Sequence, residues 1–378
     1  MLGKQNLVSE TKLERKTIWL GHNLKNRFLL RGSEDLARIS LILSAGDLVD
    51  RPRLEPKLID LVNRETAAGR DCMIDSGGFK ALTKENAILS TEALARIYES
   101  ANAAAYVSLD VPPVPGDCTA IRQKKWHKTI YNLARLAETG IADRLVPVVH
   151  GFHLNEIETN CEAVRKIMPN PGMIGLGGRV PLLRGMKRAH DAMIRPDHNH
   201  SSKSARFAVY TYLHKTFALM RGYFPKSRIH LFGAGSPRMA LMAILCGAES
   251  VDSISWRKAA NFGCIFLPGC GERIPSLEPT GRTSRPYLSQ HDLELLAECA
   301  CPICRDETEV GNRASSLSGD YRKRAVHNAW QITNEFDEIS QINTIEKLEN
   351  FVRCRFGDRY WAWVLDIGAS GWCERQIT

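Results

Sequence analysis

Short apolar runs that stop abruptly at polar or glycine-rich residues recur along the chain, separated by stretches whose apolar positions fall at helical spacing. Thr17 to His22 reads as an opening strand, and Ile39 to Ser44 as the next apolar run. A helical pattern from Pro56 to Glu65 follows, with Leu58, Ile59, Leu61 and Val62 on one face. Cys72-Met73-Ile74 then leads into Asp75-Ser76-Gly77-Gly78-Phe79, a buried strand whose last residues leave the core and whose glycines let the backbone turn tightly. The rhythm continues with a helix from Leu89 to Glu99, a strand from Ala104 to Asp110, and a helix from Lys125 to Glu138. Next come a strand from Arg144 to Gly151, a helix from Leu154 to Met168, and a strand from Gly172 to Gly178. After a polar loop from Arg195 to Ser204, a helix spans Phe207 to Phe224 and a strand Ile229 to Gly235. A helix from Arg238 to Cys246 precedes a strand from Ser250 to Trp256, with Cys264 to Leu267 as a last strand.

Strands alternating with helices imply right-handed βαβ units and a parallel sheet. Polar or glycine-rich ends occur on nearly every strand, not at one switch point. That favours a closed α/β (β/α)8 TIM barrel over an open doubly wound sheet. The carboxyl ends of the strands would then gather Asp75, Asp110, His150, Gly177, Gly178, Gly233, Gly235 and Asp252 around a single pocket. The stretch from Pro268 to Tyr287 shifts to Pro, Gly, Ser and Arg and marks a boundary. We expect a catalytic barrel over residues 1–288, and over 289–378 a zinc-binding subdomain with C-terminal helices packing back on the barrel. In that second part Ser289 caps a helix running to Glu298, a final helix opens at Asn343 to Glu346 and runs through Cys354, and Tyr360-Trp361-Ala362-Trp363 packs near the end.

No run approaches the roughly 18 apolar residues of a membrane helix, and Met1 to Lys16 has no apolar signal core. Both point to a cytoplasmic protein without a membrane partner. The 11 cysteines in 378 residues, without an export signal, fit a reducing compartment. Cys72, Cys161, Cys246 and Cys264 read as small core residues. The net charge of +9 makes a polyanionic partner plausible, with basic clusters at Arg122 to Lys128, Arg184 to Arg188 and Arg322 to Arg324. No GxGxxG or P-loop supports a dinucleotide or triphosphate site.

Two constellations carry chemistry. Cys299-x-Cys301-x2-Cys304 with His327 on a later helix supplies three thiolates and one imidazole, a tetrahedral set suited to structural zinc; His291, within the preceding helix, is the weaker fourth ligand. Asp75, Asp110 and Asp252 are the acid–base candidates. Two carboxylates facing one sugar carbon can divide labour, one attacking the anomeric carbon and one handling protons on the leaving group, while a third accepts hydrogen bonds from a purine edge.

In their order, Asp75-Ser76-Gly77-Gly78-Phe79, Ser108-Leu109-Asp110, Val149-His150-Gly151, Gly177-Gly178, Gly233-Ala234-Gly235-Ser236-Pro237, Val251-Asp252-Ser253 and the Cys3His set resemble the tRNA-guanine transglycosylases. The resemblance runs from about Cys72 to His327. It implies a TIM barrel with a zinc subdomain, in an enzyme that exchanges guanine in a nucleic acid for a 7-deazaguanine base. By the same resemblance Asp252 is the nucleophile, Asp75 the general acid and base, and Asp110 the purine-edge acceptor. Ser76, His150, Gly177 and Gly178 frame the base.

The departures lie on the nucleic-acid side. Lys80 stands where the tRNA enzymes carry Gln and His150 where the bacterial tRNA enzymes do, and Ser255 to Gly263 lacks the Pro-Thr-Arg pattern and paired arginines of the bacterial enzymes. The carboxy-terminal RNA-binding domain of archaeal members is also expected to be missing. The combination is similar to the DNA-modifying (DpdA-type) paralogues, which implies insertion of 7-cyano-7-deazaguanine (preQ0) into DNA. Lys80, Arg257 and Lys258 are then the expected nucleic-acid contacts, and a helper ATPase or DNA-remodelling protein could open the duplex. Alternatives are exchange in tRNA, a catalytically idle nucleic-acid-binding barrel, and a nucleoside hydrolase on the same fold.

Overall fold

The computed structural model describes residues 15–31, 34–78, 80, 89–194, 202–278 and 284–367. Nine parallel strands form one sheet: β1 (Thr17–His22), β2 (Ser40–Ser44), β3 (Cys72–Asp75), β4 (Ala105–Val107), β5 (Leu145–Val146), β6 (Val148–Val149), β7 (Met173–Leu176), β8 (Arg228–Leu231) and β9 (Ser250–Ser253). Their order is β5-β4-β3-β2-β1-β9-β8-β7-β6. The two ends of that order, β5 and β6, are halves of a single stretch divided by Pro147, which has no N–H to give the ladder. β5 pairs with β4 and β6 with β7, so the sheet closes on itself as an eight-stretch barrel. Helices cover its outside.

Alternation along each strand sorts side chains between two cores. Leu41 and Leu43, Cys72 and Ile74, Ile229 and Leu231, and Val251 face outward into the large core beneath the helices. Trp19, Ile42, Met73, Ala105, Val107, Val146, Val148 and Met173 fill the barrel interior. The opposite parity of β8 and β9 therefore turns His230, Ser250 and Asp252 inward.

Several expected boundaries shift. The last barrel strand ends at Ser253, and Trp256 belongs to the helix Ser255–Asn261. Cys264 to Leu267 is no barrel strand, since Ile265 makes only an isolated antiparallel bridge to Arg273; the ring is already complete. The helix Ile345–Phe356 is not the last, because Gly357 takes a positive φ of 92° and a further helix, Asp358–Asp366, follows. There Tyr360 and Trp363 pack against Phe207 and Tyr210. Phe79 and residues 195–201 of the polar loop lie outside the described residues, while Ser202 already begins the helix Ser202–Tyr223.

The cysteine segment has a small core of its own with Ile265, Leu267, Leu296, Ala314 and Leu317. The helix Tyr321–Ser340 adds Ala325, Ala329, Ile332 and Phe336 to the main barrel core. Ser289 caps the helix Gln290–Ala297 as expected, in a reciprocal pair with Asp292.

One turn depends on glycine twice over. Gly77 sits at φ +82°, and a Cβ there would lie 2.3 Å from Gly46 Cα and 2.4 Å from Gly46 N. Gly77→Ala is expected to destabilise the fold by about 3 kcal/mol or more, read as a lowered melting temperature. A wild-type value would show that the β3 turn relaxes freely.

Candidate active site

At the carboxyl ends of the strands a cavity of about 310 Å³ opens, lined by Asp75, Asp110, Gly177, Gly178, Gly233 and Asp252, with apolar walls that include Ile42, Val107, Val148 and Phe232. These residues come from separate strand ends, which only closure of the barrel brings together.

Each carboxylate is held differently. Asp75 Oδ2 accepts from Ser44 Oγ at 2.7 Å and from the Gly77 N–H at 3.2 Å. Burial away from bulk solvent and the like charges of Asp110 and Asp252 push its carboxyl from 3.8 up to about 7, against those two hydrogen bonds. The group is therefore poised to hold or release a proton near neutrality. Asp110 Oδ1 accepts from Ser76 Oγ at 3.4 Å, and its Oδ2 lies 2.9 Å from His150 Nε2. Asp252 Oδ1 accepts from the Gly233 N–H at 2.7 Å and lies 3.4 Å from His230 Nε2.

The raised value of Asp75 has a stability consequence. The native state retains this proton between about pH 4 and pH 7, where the unfolded chain has released it. The stability it contributes is complete below about pH 4 and is lost as pH rises through about 7. At roughly 1.4 kcal/mol per unit the difference is on the order of 4 kcal/mol. Asp75→Asn should thus melt higher than wild type at pH 8 and alike at pH 4. Equal melting at pH 8 would refute the raised value.

Glycines make the close approaches possible. A Cβ on Gly78 would lie 2.1 Å from Asp110 Oδ1, and one on Gly177 would lie 2.4 Å from His150 Cε1. His150 is almost fully buried, and its Nδ1 has no hydrogen-bond partner.

Four further polar residues of this region are not among the expected site residues. Ser44 ends β2 and Asp47 follows it, just as Asp75 ends β3 and Ser76 follows it, a recurrence that could have marked them. Asp47 lines the cavity and accepts from the Leu24 N–H at 3.1 Å. His22 also lines it. Burial and the positive charges of Arg257 and Lys57 push its pKa down to about 4, so it is neutral at pH 7. His230 lies inside the barrel beneath Asp252 and carries no local sequence signal.

The expected nucleic-acid contacts divide. Lys80 pairs with Asp50 at 2.9 Å. Arg257 is largely buried and donates to His22 Nδ1 and Tyr321 Oη, at 2.9 and 3.1 Å. Lys258 is exposed and lines a second groove with Arg27, Arg184, Arg257 and Arg322, which shares Ile254 with the cavity and has no carboxylate among its described lining residues. Two of the three sequence clusters thus contribute to one groove. In the other, Arg122 and Lys125 are engaged by Glu156 and Asp117.

Cys299, Cys301, Cys304 and His327 come together, all buried, with their ligand atoms within 4.8 Å of one another. The sulfurs lie 3.7, 3.4 and 3.5 Å from His327 Nδ1. A tetrahedron with metal–ligand bonds of about 2.0–2.3 Å has edges of roughly 3.3–3.8 Å. His327 Nε2 lies 2.9 Å from the Phe266 carbonyl, so it carries the proton and leaves the Nδ1 lone pair for the centre. The donor set fits a metal such as zinc. His291 is exposed and has no part in the cluster.

No helix among the described residues is long and apolar enough to cross a membrane. No protein-family model matches the chain. Curated relatives do. Over 270 residues, 71% of the chain, it is 25% identical to a tRNA-guanine(15) transglycosylase of Pyrococcus abyssi. It is 24% identical over 82% of its length to the protein of that name from Haloarcula marismortui, and 23% identical over 80% to that from Methanopyrus kandleri. The matches span 39%, 55% and 59% of those relatives' own lengths. Over most of its length, on a parallel barrel with a Cys3His cluster, the chain is thus similar to several proteins of one name, the tRNA-guanine(15) transglycosylases.

Proposed function

We propose that the protein exchanges guanine in a nucleic acid for a 7-deazaguanine base by double displacement at C1′. One observation carries the reading: Asp75 and Asp252, 177 positions apart by their numbers, line one cavity close enough for their charges to couple. In the first displacement Asp252 Oδ2 bonds to C1′ as the C1′–N9 bond breaks. The electron pair goes to N9, and protonated Asp75 supplies the proton that lets guanine depart neutral. In the second, N9 of the incoming base attacks C1′ and gives its proton to the Asp75 carboxylate, and the ester electron pair returns to Asp252. A carboxyl near pH 7 suits both directions of that transfer.

Asp110, held on both oxygens by Ser76 and His150, is the acceptor for the purine's N–H edge, and Gly177 and Gly178 let the base lie against the backbone. Zinc at Cys299, Cys301, Cys304 and His327 would be structural, since four protein ligands leave no open position. This assignment goes with a catalytic barrel over 1–288 and a metal subdomain with packing helices over 289–378.

For the polymer we favour DNA, on the departures at Lys80, His150 and Ser255 to Gly263. Reaching C1′ in a duplex requires extruding the target base at a cost of a few kcal/mol, which a helper ATPase or remodelling protein could supply. The groove with Arg27, Arg184, Lys258 and Arg322 would hold the backbone. The archaeal relatives, called tRNA-guanine(15) transglycosylases, favour tRNA as the second reading. The deciding experiment offers labelled preQ0 with duplex DNA or tRNA to the purified protein, and hydrolyses DNA from expressing cells to look for deazaguanine nucleosides. Label or deazaguanine in DNA is the expected result. Label confined to tRNA would overturn the choice of DNA.

A further inference from the structure

Beneath Asp252, inside the barrel, lies a chain of polar side chains that the exchange reaction does not use directly. Trp19 Nε1 lies 3.0 Å from Ser250 Oγ, Ser250 Oγ lies 2.6 Å from His230 Nδ1, and His230 Nε2 lies 3.4 Å from Asp252 Oδ1. Trp19, Ser250 and His230 are 3%, 0% and 0% exposed, so water cannot substitute for any of these contacts. Register sets the chain: Trp19 pairs with Asp252 across β1 and β9, and His230 with Ser250 across β8 and β9.

The direction of each bond follows from what each group can do. An indole N–H only donates, so Trp19 occupies a lone pair of Ser250 Oγ. The Ser250 hydroxyl has one proton to place, and His230 Nδ1 is its acceptor. The imidazole proton then sits on Nε2, facing Asp252. The opposite tautomer would strand a buried hydroxyl proton and set an imidazole lone pair against a carboxylate, a cost of about 1–3 kcal/mol for the orphaned group alone.

We infer that Trp19, Ser250 and His230 form a positioning relay that turns the His230 Nε2–H toward Asp252 Oδ1, 3.4 Å away and not hydrogen-bonded to it, and so biases Oδ2 toward the sugar carbon. The inference rests on the reading of Asp252 as nucleophile. Gly233 N–H already binds Oδ1, and among the described residues no donor reaches Oδ2. The Gly233 N–H bond to Oδ1, with the unpartnered His230 Nε2 3.4 Å from the same oxygen, makes the two oxygens inequivalent before substrate arrives. His230 also helps Asp252 leave as a carboxylate in the second displacement, since charge returning to Oδ1 meets a ready donor. Phe232, edge-on to the His230 ring at 4.4 Å, keeps the imidazole from rotating.

Two measurements on the full-length protein test the relay. Nitrogen-15 NMR of histidine-labelled protein, with His230 assigned by its loss in His230→Gln, should show a neutral ring protonated at Nε2 and bare at Nδ1. A protonated Nδ1 would overturn the relay, whatever the enzyme's activity. In single-turnover formation of the polymer adduct, His230→Phe should slow the step by about 100-fold while leaving half-saturation by the polymer unchanged. His230→Gln, whose amide N–H reaches about as far as Nε2, should restore most of the rate, and Ser250→Ala, a smaller change, should disturb the tautomer in protein that still melts cooperatively. A wild-type adduct whose rate His230→Phe leaves unmoved would overturn the positioning role alone. Absence of any adduct in wild type would sink the exchange reading and the role with it.

Discussion

Asp252→Asn is expected to abolish both base exchange and the covalent protein–nucleic acid adduct, with a fall in rate of about 10⁴-fold or more, as for the loss of other enzymic nucleophiles. The amide keeps the shape of the carboxylate and can still face the Gly233 N–H, so the fold and the cavity should survive. What it lacks is a negative oxygen to form the bond to C1′. Denaturing electrophoresis with a labelled oligonucleotide and excess free base separates the adduct from unreacted polymer, and a melting curve confirms the fold. An adduct that persists in Asp252→Asn would remove this residue from its role, and Asp75, already half-protonated near pH 7, would be the next carboxylate to test.

Removal of the metal is expected to have the larger structural effect. Purified protein should contain about one zinc per chain, and a chelator or Cys301→Ser should release it. Apparent binding energies of structural zinc are on the order of 10–16 kcal/mol, comparable to the whole stability of a domain. Loss should therefore unfold the segment around Cys299, Cys301 and Cys304, where Arg313 ties the Leu296 and Cys299 carbonyls at 3.0 and 3.1 Å. The damage should also travel. Asn328, next to His327, accepts from the Phe266 N–H at 2.7 Å and donates to the Trp256 and Cys264 carbonyls at 3.1 Å each. These bonds anchor the helix Ser255–Asn261, which begins three residues after Asp252. Hydrogen exchange should quicken across residues 255–267 as well as 299–304. Exchange that quickens at the cysteines alone would show that the metal segment is an appendage with no hold on the catalytic strand.

The barrel and its polar mouth were legible because periodicity is local: Asp75 and Asp110 each follow an apolar run, Asp252 sits in a short alternating one, and a carboxylate near a strand's open end shows in a few residues of text. The cysteine cluster was legible for the same reason, since three of its four ligands fall within six positions. The helix that claims Trp256 was not, because Ser250 to Trp256 reads as apolar alternation until the ring closes at Ser253 and the chain must turn outward to cover it. Nor were the fates of the cations. Lys80, Arg257 and Lys258 look alike in a sequence, yet Asp50 neutralises the first and the interior takes the second.

By itself, then, the order of residues determined a parallel alternating fold, a set of strand-end carboxylates and a Cys3His ligand set. Tertiary structure alone decided which of them meet. It buried Asp75 beside Asp110 and Asp252 and so raised a carboxyl to about 7, and it hung Asp110 on His150. It also laid Trp19, Ser250 and His230 in a line under Asp252. Each of these depends on residues 20 to 231 positions apart becoming neighbours, and charge coupling, desolvation and tautomer choice are properties of neighbours in space.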